Sequence, residues 1–285
     1  MTTTILEGTL PDDLRRAVLK SGSGHKFDHG AALVLTGGFG RTGAARLAAR
    51  ACLRIGAGLV TCAAPGSALL ECATQLTAVM LRRCDGGADL LALLDDRRFN
   101  ALCLGPGLGL DERAAGLLDV ALASKRAAVL DADALTLLSR RADPFAGLHD
   151  RCVLTPHGGE FARLFPDLAA QAETDKPRAV RNAAERAGCV VLLKGAETAV
   201  AKPDGRTWLH RADGDRAVPW LATAGAGDVL AGLIAGLLAR GGTPAEATVA
   251  SVWLHVEAAV RVGPGLIAED LPEALPAVLR ALRPD

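Results

Sequence analysis

The sequence predicts an α/β fold, a three-layer sandwich with a mostly parallel central sheet between helices. Three observations carry that prediction. Short apolar runs (ALVL, LVTCA, ALCLG, AAVLD, CVLTP and CVVLLKG) recur without polar alternation, as strands covered on both faces do. Segments of helical period separate them. Apart from LVTCA, the runs lead into glycine, aspartate, threonine or lysine, and ligands in open parallel sheets gather at the carboxyl ends of strands. A chain of 285 residues, half of them hydrophobic, fits one large domain or two small ones.

In chain order, a short helix is expected near Asp12 to Leu19, then the polar segment SGSGHKFDHG and the strand ALVL. The turn TGGFGRTG follows, with an alanine-rich helix over Ala44 to Ile55 behind Thr42 as its cap. Glycines 37, 38, 40 and 43 would let a ligand approach the backbone, though their spacing is not that of a dinucleotide fingerprint. Lys26 upstream reads as a solvated lysine. LVTCA, a helical segment from Ser67 and AVML come next. ALCLG then runs into GPGLG, Gly105 to Gly109, a fixed loop with little side-chain cover.

AAVLD runs into ADAL, placing Asp131 and Asp133 at a strand tip. Either acid could hold magnesium through water, anchor a sugar hydroxyl or cap the next helix; capping is the expectation for Asp133. CVLT leads into PHGGEFARL, where His157 and Glu160 can share a helix face and His157 is a candidate ligand contact. Lys176 to Ala187 reads as a charged surface helix. CVVLLKG leaves Lys194 at the end of a buried strand, facing an anion, the carbonyls of a ligand pocket or an internal salt bridge. AETAVAKPDGRTWLH reads as a hairpin-like edge turning at PDG.

LATAGAGDVLAGLIAGLLARGG, Leu221 to Gly242, holds the strongest functional signal. Gly225 and Gly227 form a sharp turn with uncovered N–H groups, and the apolar helix behind it turns its positive dipole end to the same spot. Asp228 sits at the join. A carboxylate beside an anion-binding turn is either a plain helix cap or a base that deprotonates a hydroxyl attacking a bound phosphate. Pro244 to Val262, with His255, and a segment from about Asp270, whose continuity Pro276 weakens, are the last helices.

Composition narrows the function. Lys plus Arg equals Asp plus Glu at 32 each, which points away from nucleic acid and acidic membrane surfaces toward a small substrate. Tyrosine is absent and aromatics make up 3%, too few for stacking on bases. Seven cysteines sit singly in apolar segments and read as reduced, buried fillers. The start MTTTILEGTLPDDLRR lacks the pattern of a signal peptide, and no run approaches the roughly 18 apolar residues of a membrane span, so a cytoplasmic protein is expected.

In this order, GG followed by TGAARLAARACLRIGAGLVT, then GPGLG, VLDADAL, LTPHGGEFARL, VVLLKGAET, LATAGAGDVLAGLIAGLLARG and WLHVEAA resemble the ADP- or ATP-dependent NAD(P)H-hydrate dehydratases of the ribokinase-like superfamily. The resemblance covers nearly the whole chain and implies a single domain over 1–285. GAGD marks the wider superfamily, vitamin kinases included; LTPHGGE with GPGLG and DADAL is specific to the dehydratases.

The resemblance implies dehydration of the S-epimer of hydrated NADH or NADPH. ADP or ATP is the co-substrate, phosphate is released, and magnesium neutralises phosphate charge. It makes Asp228 the base and also a substrate contact, with Ala44, Gly107 and His157 as further contacts of the hydrated dinucleotide. Lys194, Gly195, Ala196, Glu197 and Thr198 form the loop that holds the adenine nucleotide, and Gly225 and Gly227 belong to the anion hole. A homotetramer is implied, as is a separate NAD(P)H-hydrate epimerase, for which this chain has no room. TAGAGD stands where the family commonly has TGGTGD, so a hydroxyl is lost at Ala226 while both glycines and the acid stay. Two rival readings use the same residues: a kinase of this fold acting on a small alcohol of the hydroxyethylthiazole type, and a nucleotide sensor without chemistry. Three glycine-rich loops suggest a groove long enough for a dinucleotide, and a sensor would have no use for Asp228.

Overall fold

The computed structural model describes residues 3–6, 8–20 and 24–283. Residues 21–23, which begin the polar segment, lie outside them. The chain runs β1 (Thr3–Leu6), α1 (Asp12–Val18), β2 (Ala31–Leu35), α2 (Gly43–Arg54), β3 (Leu59–Ala64), α3 (Leu69–Gln75), β4 (Met80–Arg83), α4 (Gly87–Leu93), β5 (Phe99–Leu104) and α5 (Glu112–Ala123). It continues through β6 (Ala127–Leu130), α6 (Asp133–Ser139), β7 (Cys152–Leu154), α7 (Gly158–Leu164), α8 (Ala169–Thr174) and α9 (Lys176–Ala187). β8 (Val190–Leu193), β9 (Glu197–Ala201), β10 (Thr207–Arg211), α10 (Ala226–Ala239), α11 (Pro244–Val262) and α12 (Asp270–Ala281) complete it.

These strands form a single sheet in the order β1-β10-β9-β8-β7-β6-β5-β2-β3-β4, parallel except for β9, which runs against both neighbours. The expected strands are all present. β9 and β10 form the expected hairpin, with the Gly205 N–H donating to the Lys202 carbonyl in its turn. The edge position belongs instead to β1, which pairs in parallel with β10. β1 went unread because it is four residues long and buries only Leu6.

Alternation along the strands sends side chains into two cores. Ala32 and Val34 join α2, α10, α11 and α12, while Leu33 and Leu35 join α5, α6, α7 and α9. All seven cysteines are free and buried, and burial pushes the Cys84 and Cys152 thiols up to about 11, consistent with unreactive packing. Among the described residues no helix is long and apolar enough to cross a membrane.

α10 is the central element. Every residue from Val229 to Ala239 is buried, as expected for a helix apolar all round. It crosses α2 at close range because both surfaces are small: Ala48 and Cys52 on α2 face Gly232 and Gly236 on α10. A methyl group on Gly232 would lie 2.1 Å from the Ala48 carbonyl oxygen. Gly232→Ala is therefore expected to push the two helices apart at a cost of about 1–3 kcal/mol, read as a lower unfolding temperature. An unchanged unfolding temperature would show that this crossing yields freely.

Candidate active site

The ends of β5, β6, β7 and β8 and the start of α10 converge. β6 delivers Asp131, only 1% exposed, whose Oδ1 accepts from the Thr155 hydroxyl at 2.8 Å and from Lys194 Nζ at 2.7 Å. Of the destinations open to Lys194 the internal salt bridge is the one found, and the pair ties β8 to β6 across β7. Lys194 also reaches α10, since its Nζ stands 3.3 Å from the position a Cβ on Gly227 would take. Any side chain there would crowd the ammonium away from the helix start.

Asp228 follows in the first turn of α10. Its carboxyl is pushed up to about 6 by burial first and then by the like charges of Asp131 and Asp133, with the Lys194 ammonium pulling the other way. At neutral pH it is a carboxylate with real proton affinity, as a general base requires. Gly225, at φ +87°, makes the turn ahead of it and lies against Leu47 of α2 and Ala268. His255 of α11 supports the turn from below: its Nε2 is 2.9 Å from the Ala226 carbonyl oxygen, which can only accept, so the proton is on Nε2. Burial pushes this imidazole down to about 4 and keeps it neutral. The sequence marked His255 as part of a core helix; its bond to the α10 turn depends on a helix crossing that no local pattern signals.

Asp133 departs from expectation. It is the first residue of α6 and not its cap, and its Oδ2 accepts from the Gly109 N–H at 2.8 Å, tethering the GPGLG loop. Ala132 between the two acids has φ 45° and ψ −113°, a conformation costly for a residue with a side chain. Thr42 does not cap α2 through its side chain; its hydroxyl donates to Glu71 of α3, whose other carboxylate oxygen accepts from the Gly40 N–H at 2.7 Å. Glu71 thus moors the glycine loop, and nothing in its sequence surroundings announces it. The two glycine loops pack on each other: a Cβ on Gly107 would lie 3.5 Å from the Ala44 Cβ and 2.6 Å from the Arg41 carbonyl oxygen. Ala44 and Gly107, expected to contact one substrate, are therefore neighbours.

His157 caps α7. Its Nδ1 accepts from the N–H groups of Gly159 (3.0 Å) and Glu160 (3.4 Å), and the Glu160 carboxylate accepts from the His157 N–H at 2.8 Å. The expected meeting of His157 with Glu160 is this reciprocal capping box, and the ring remains half exposed at the strand tip. Lys26 lies before β2, at the opposite end of the sheet, over the Phe27 ring.

A cavity of about 540 Å³ opens beside the α10 turn, lined by Lys194, Gly195, Ala196, Thr198 and Gly227 and walled by Val218, Leu230, Val252 and Val256. The Glu197 side chain turns away from it and pairs with Arg211 at 2.6 Å. Polar backbone at one end and an apolar wall at the other suit a ligand with an anionic group and a flat apolar body. Among the described residues no three His, Cys, Asp or Glu side chains gather closely enough to hold a metal unaided. Asp131 and Asp133 are engaged by Lys194 and Gly109, so this donor set fits magnesium carried in on phosphate oxygens and water, and not a protein-built cage.

A sequence profile described as NAD(P)H-hydrate dehydratase matches residues 32–276. The chain is 39% identical over 277 residues to the bifunctional NAD(P)H-hydrate repair enzyme Nnr of Moorella thermoacetica, a match that takes in 92% of this chain and 52% of that protein. It thus spans about half the length of that relative. It is 37% identical to the ADP-dependent (S)-NAD(P)H-hydrate dehydratase of Neisseria meningitidis, over 88% of this chain and 85% of that one. Among solved structures, a ribokinase-like superfamily protein of Enterococcus faecalis superimposes with a TM-score of 0.81 at 22% identity, covering 98% of this chain and 96% of that one. The ADP/ATP-dependent NAD(P)H-hydrate dehydratase of Bacillus subtilis, co-crystallised with ATP and Mg2+, superimposes with a TM-score of 0.78 at 29% identity, covering 94% and 96%. With the ribokinase-like sheet, the acid at the head of α10 and a matching profile along most of its length, the chain belongs to the NAD(P)H-hydrate dehydratase family.

Proposed function

We propose that this protein dehydrates the S-epimer of hydrated NADH or NADPH at the expense of ADP or ATP, releasing phosphate and AMP or ADP and restoring the reduced nicotinamide. The observation that carries the reading is Asp228, a carboxylate pushed up to about 6 at the head of a buried helix, beside the Lys194 ammonium. In this scheme the hydrate hydroxyl attacks the terminal phosphate while Asp228 takes its proton and AMP or ADP is expelled; the C–O bond then breaks, phosphate departs, and loss of a proton from the adjacent ring carbon re-forms the double bond. The N–H groups of the Gly225 to Gly227 turn and the dipole of α10 receive the phosphate charge. Magnesium, bound through the phosphates, would offset that charge further.

Lys194 to Thr198 hold the nucleotide on one side of this turn; Ala44, Gly107 and His157 contact the hydrated dinucleotide on the other. Glu197 contributes through its backbone, because its carboxylate is committed to Arg211. As family resemblance suggests, residues 1–285 act as one domain within a homotetramer in the cytoplasm, and an NAD(P)H-hydrate epimerase works on the same pool.

The test is to incubate the protein with NADH hydrate, magnesium and ADP or ATP and follow the return of reduced-nicotinamide absorbance. Recovery with stoichiometric phosphate release is expected. Phosphorylation of a thiazole alcohol with no recovery would make the protein a kinase, and nucleotide binding with neither reaction would make it a sensor.

A further inference from the structure

We propose that Lys176, at the start of α9 and outside the family's nucleotide-binding loop, is a positioning residue that aims the Gly195 amide of that loop at the nucleotide phosphates. This rests on the nucleotide reading of residues 194–198 given above.

Lys176 is badly placed for an ordinary surface lysine. As the first residue of α9 it puts a cation at the positive end of a helix dipole, and burial lowers its pKa despite the nearby carboxylates of Glu197 and Glu173. What it gains is two acceptors: Nζ donates to the Glu197 carbonyl at 2.5 Å and to the Lys194 carbonyl at 3.4 Å. It approaches this closely only because residue 195 is glycine. A Cβ there would lie 2.6 Å from Nζ.

The direction of those carbonyls matters. The loop divides two cavities on opposite faces of the sheet, as β10 shows: Leu209 and Arg211 line the one that contains Lys176, and His210 lines the one that contains Gly227 and Thr198. In a trans peptide the N–H points opposite to the carbonyl. Drawing the Lys194 carbonyl toward Lys176 therefore turns the Gly195 N–H away from it, toward the Gly227 cavity. The Thr198 N–H, opposite the Glu197 carbonyl, belongs to the β9–β10 ladder where Thr198 pairs with His210, so the bond to Glu197 fixes the start of β9 and the Gly195 N–H is the amide that is aimed. An ammonium on the far side thus sets which edge of the loop meets an anion and keeps both carbonyls out of the phosphates' way.

The experiment measures ADP and adenosine binding by calorimetry, with magnesium, for wild type, Lys176→Met, Lys176→Gln and Lys176→Arg. Lys176→Met is expected to weaken ADP about tenfold, with Lys176→Gln intermediate. Adenosine, which has no phosphate, should change by no more than about twofold, and Lys176→Arg, whose fork can serve two carbonyls, should keep ADP affinity. If Lys176→Met does not fold, the comparison of Gln with Arg reads the same effect. ADP affinity unchanged in the variants, or ADP and adenosine weakened alike, would overturn the proposal while leaving the nucleotide site in place. A wild-type protein that binds no ADP would overturn the site itself and this inference with it.

Discussion

Asp228→Asn is expected to reduce dehydration by about 10²–10⁴-fold or more and, at the same time, to make the protein more stable above pH 7. Both effects come from one cause. Burial and the neighbouring Asp131 and Asp133 raise the carboxyl from its ordinary 3.8 to about 6. Between those values the native state holds a proton that the unfolded chain has released, so stability falls as pH rises through that window, and the penalty is complete above it. Asparagine cannot ionise and escapes the penalty. A difference of about two pKa units corresponds to at most roughly 3 kcal/mol, and the partial exposure of the side chain reduces this to about 1–2 kcal/mol.

Thermal unfolding of wild type and variant from pH 8 down to pH 4 checks it: the variant should unfold at the higher temperature at pH 8, with the gap closing toward pH 4. The acidic limb of kcat/KM for the wild-type enzyme should fall near pH 6, because the base is lost once protonated. A variant with normal turnover, or one less stable than wild type at pH 8, would falsify the assignment of Asp228 as a desolvated base.

Lys194→Met should produce the largest loss of stability. Among the described residues it leaves Asp131, 1% exposed, with only the Thr155 hydroxyl against its charge, and an uncompensated buried carboxylate costs about 3–5 kcal/mol. At about 2–4 °C per kcal/mol for a chain of this size, the unfolding temperature should drop by roughly 6–20 °C. The double variant Lys194→Met with Asp131→Asn separates structure from function: removing the orphaned charge should restore most of the stability but not nucleotide affinity, since the cation beside Gly227 is still missing. The two single changes should also move the acidic limb of activity in opposite directions. Lys194 holds the Asp228 carboxyl down and Asp131 pushes it up, so loss of Lys194 moves the limb to higher pH and Asp131→Asn to lower pH. Full recovery of nucleotide affinity in the double variant would reduce Lys194 to a structural partner of Asp131.

The strands and long helices were legible in the sequence because they depend on local regularities. Continuous apolar runs read as covered strands, and α9 and α11 begin and end where Asp175, Gly188, Thr243 and Gly263 sit as caps. The head of α10 was legible for the same reason: two glycines, an acid and an apolar helix lie in one short stretch.

The misreadings concern side chains whose partners are far away in the chain. Thr42 and Asp133 have the residue types and positions of helix caps, and each is instead bonded to a remote loop or helix, Thr42 to Glu71 and Asp133 to Gly109. Short polar side chains at a helix start take whichever strong partner the fold presents, and capping is only the local option.

Residue identity alone thus determined the α/β class and pointed to the strand tips and Asp228 as the candidate site, because each is encoded by neighbours within a few positions. Only the tertiary structure decided that Lys194 pairs with Asp131 across 63 positions of chain, that His255 braces the α10 turn, that Glu71 moors the glycine loop and that Lys176 bonds the carbonyls of Lys194 and Glu197. Those contacts are made by side chains brought together when the sheet and helices pack, and local patterning carries no information about a partner that distant.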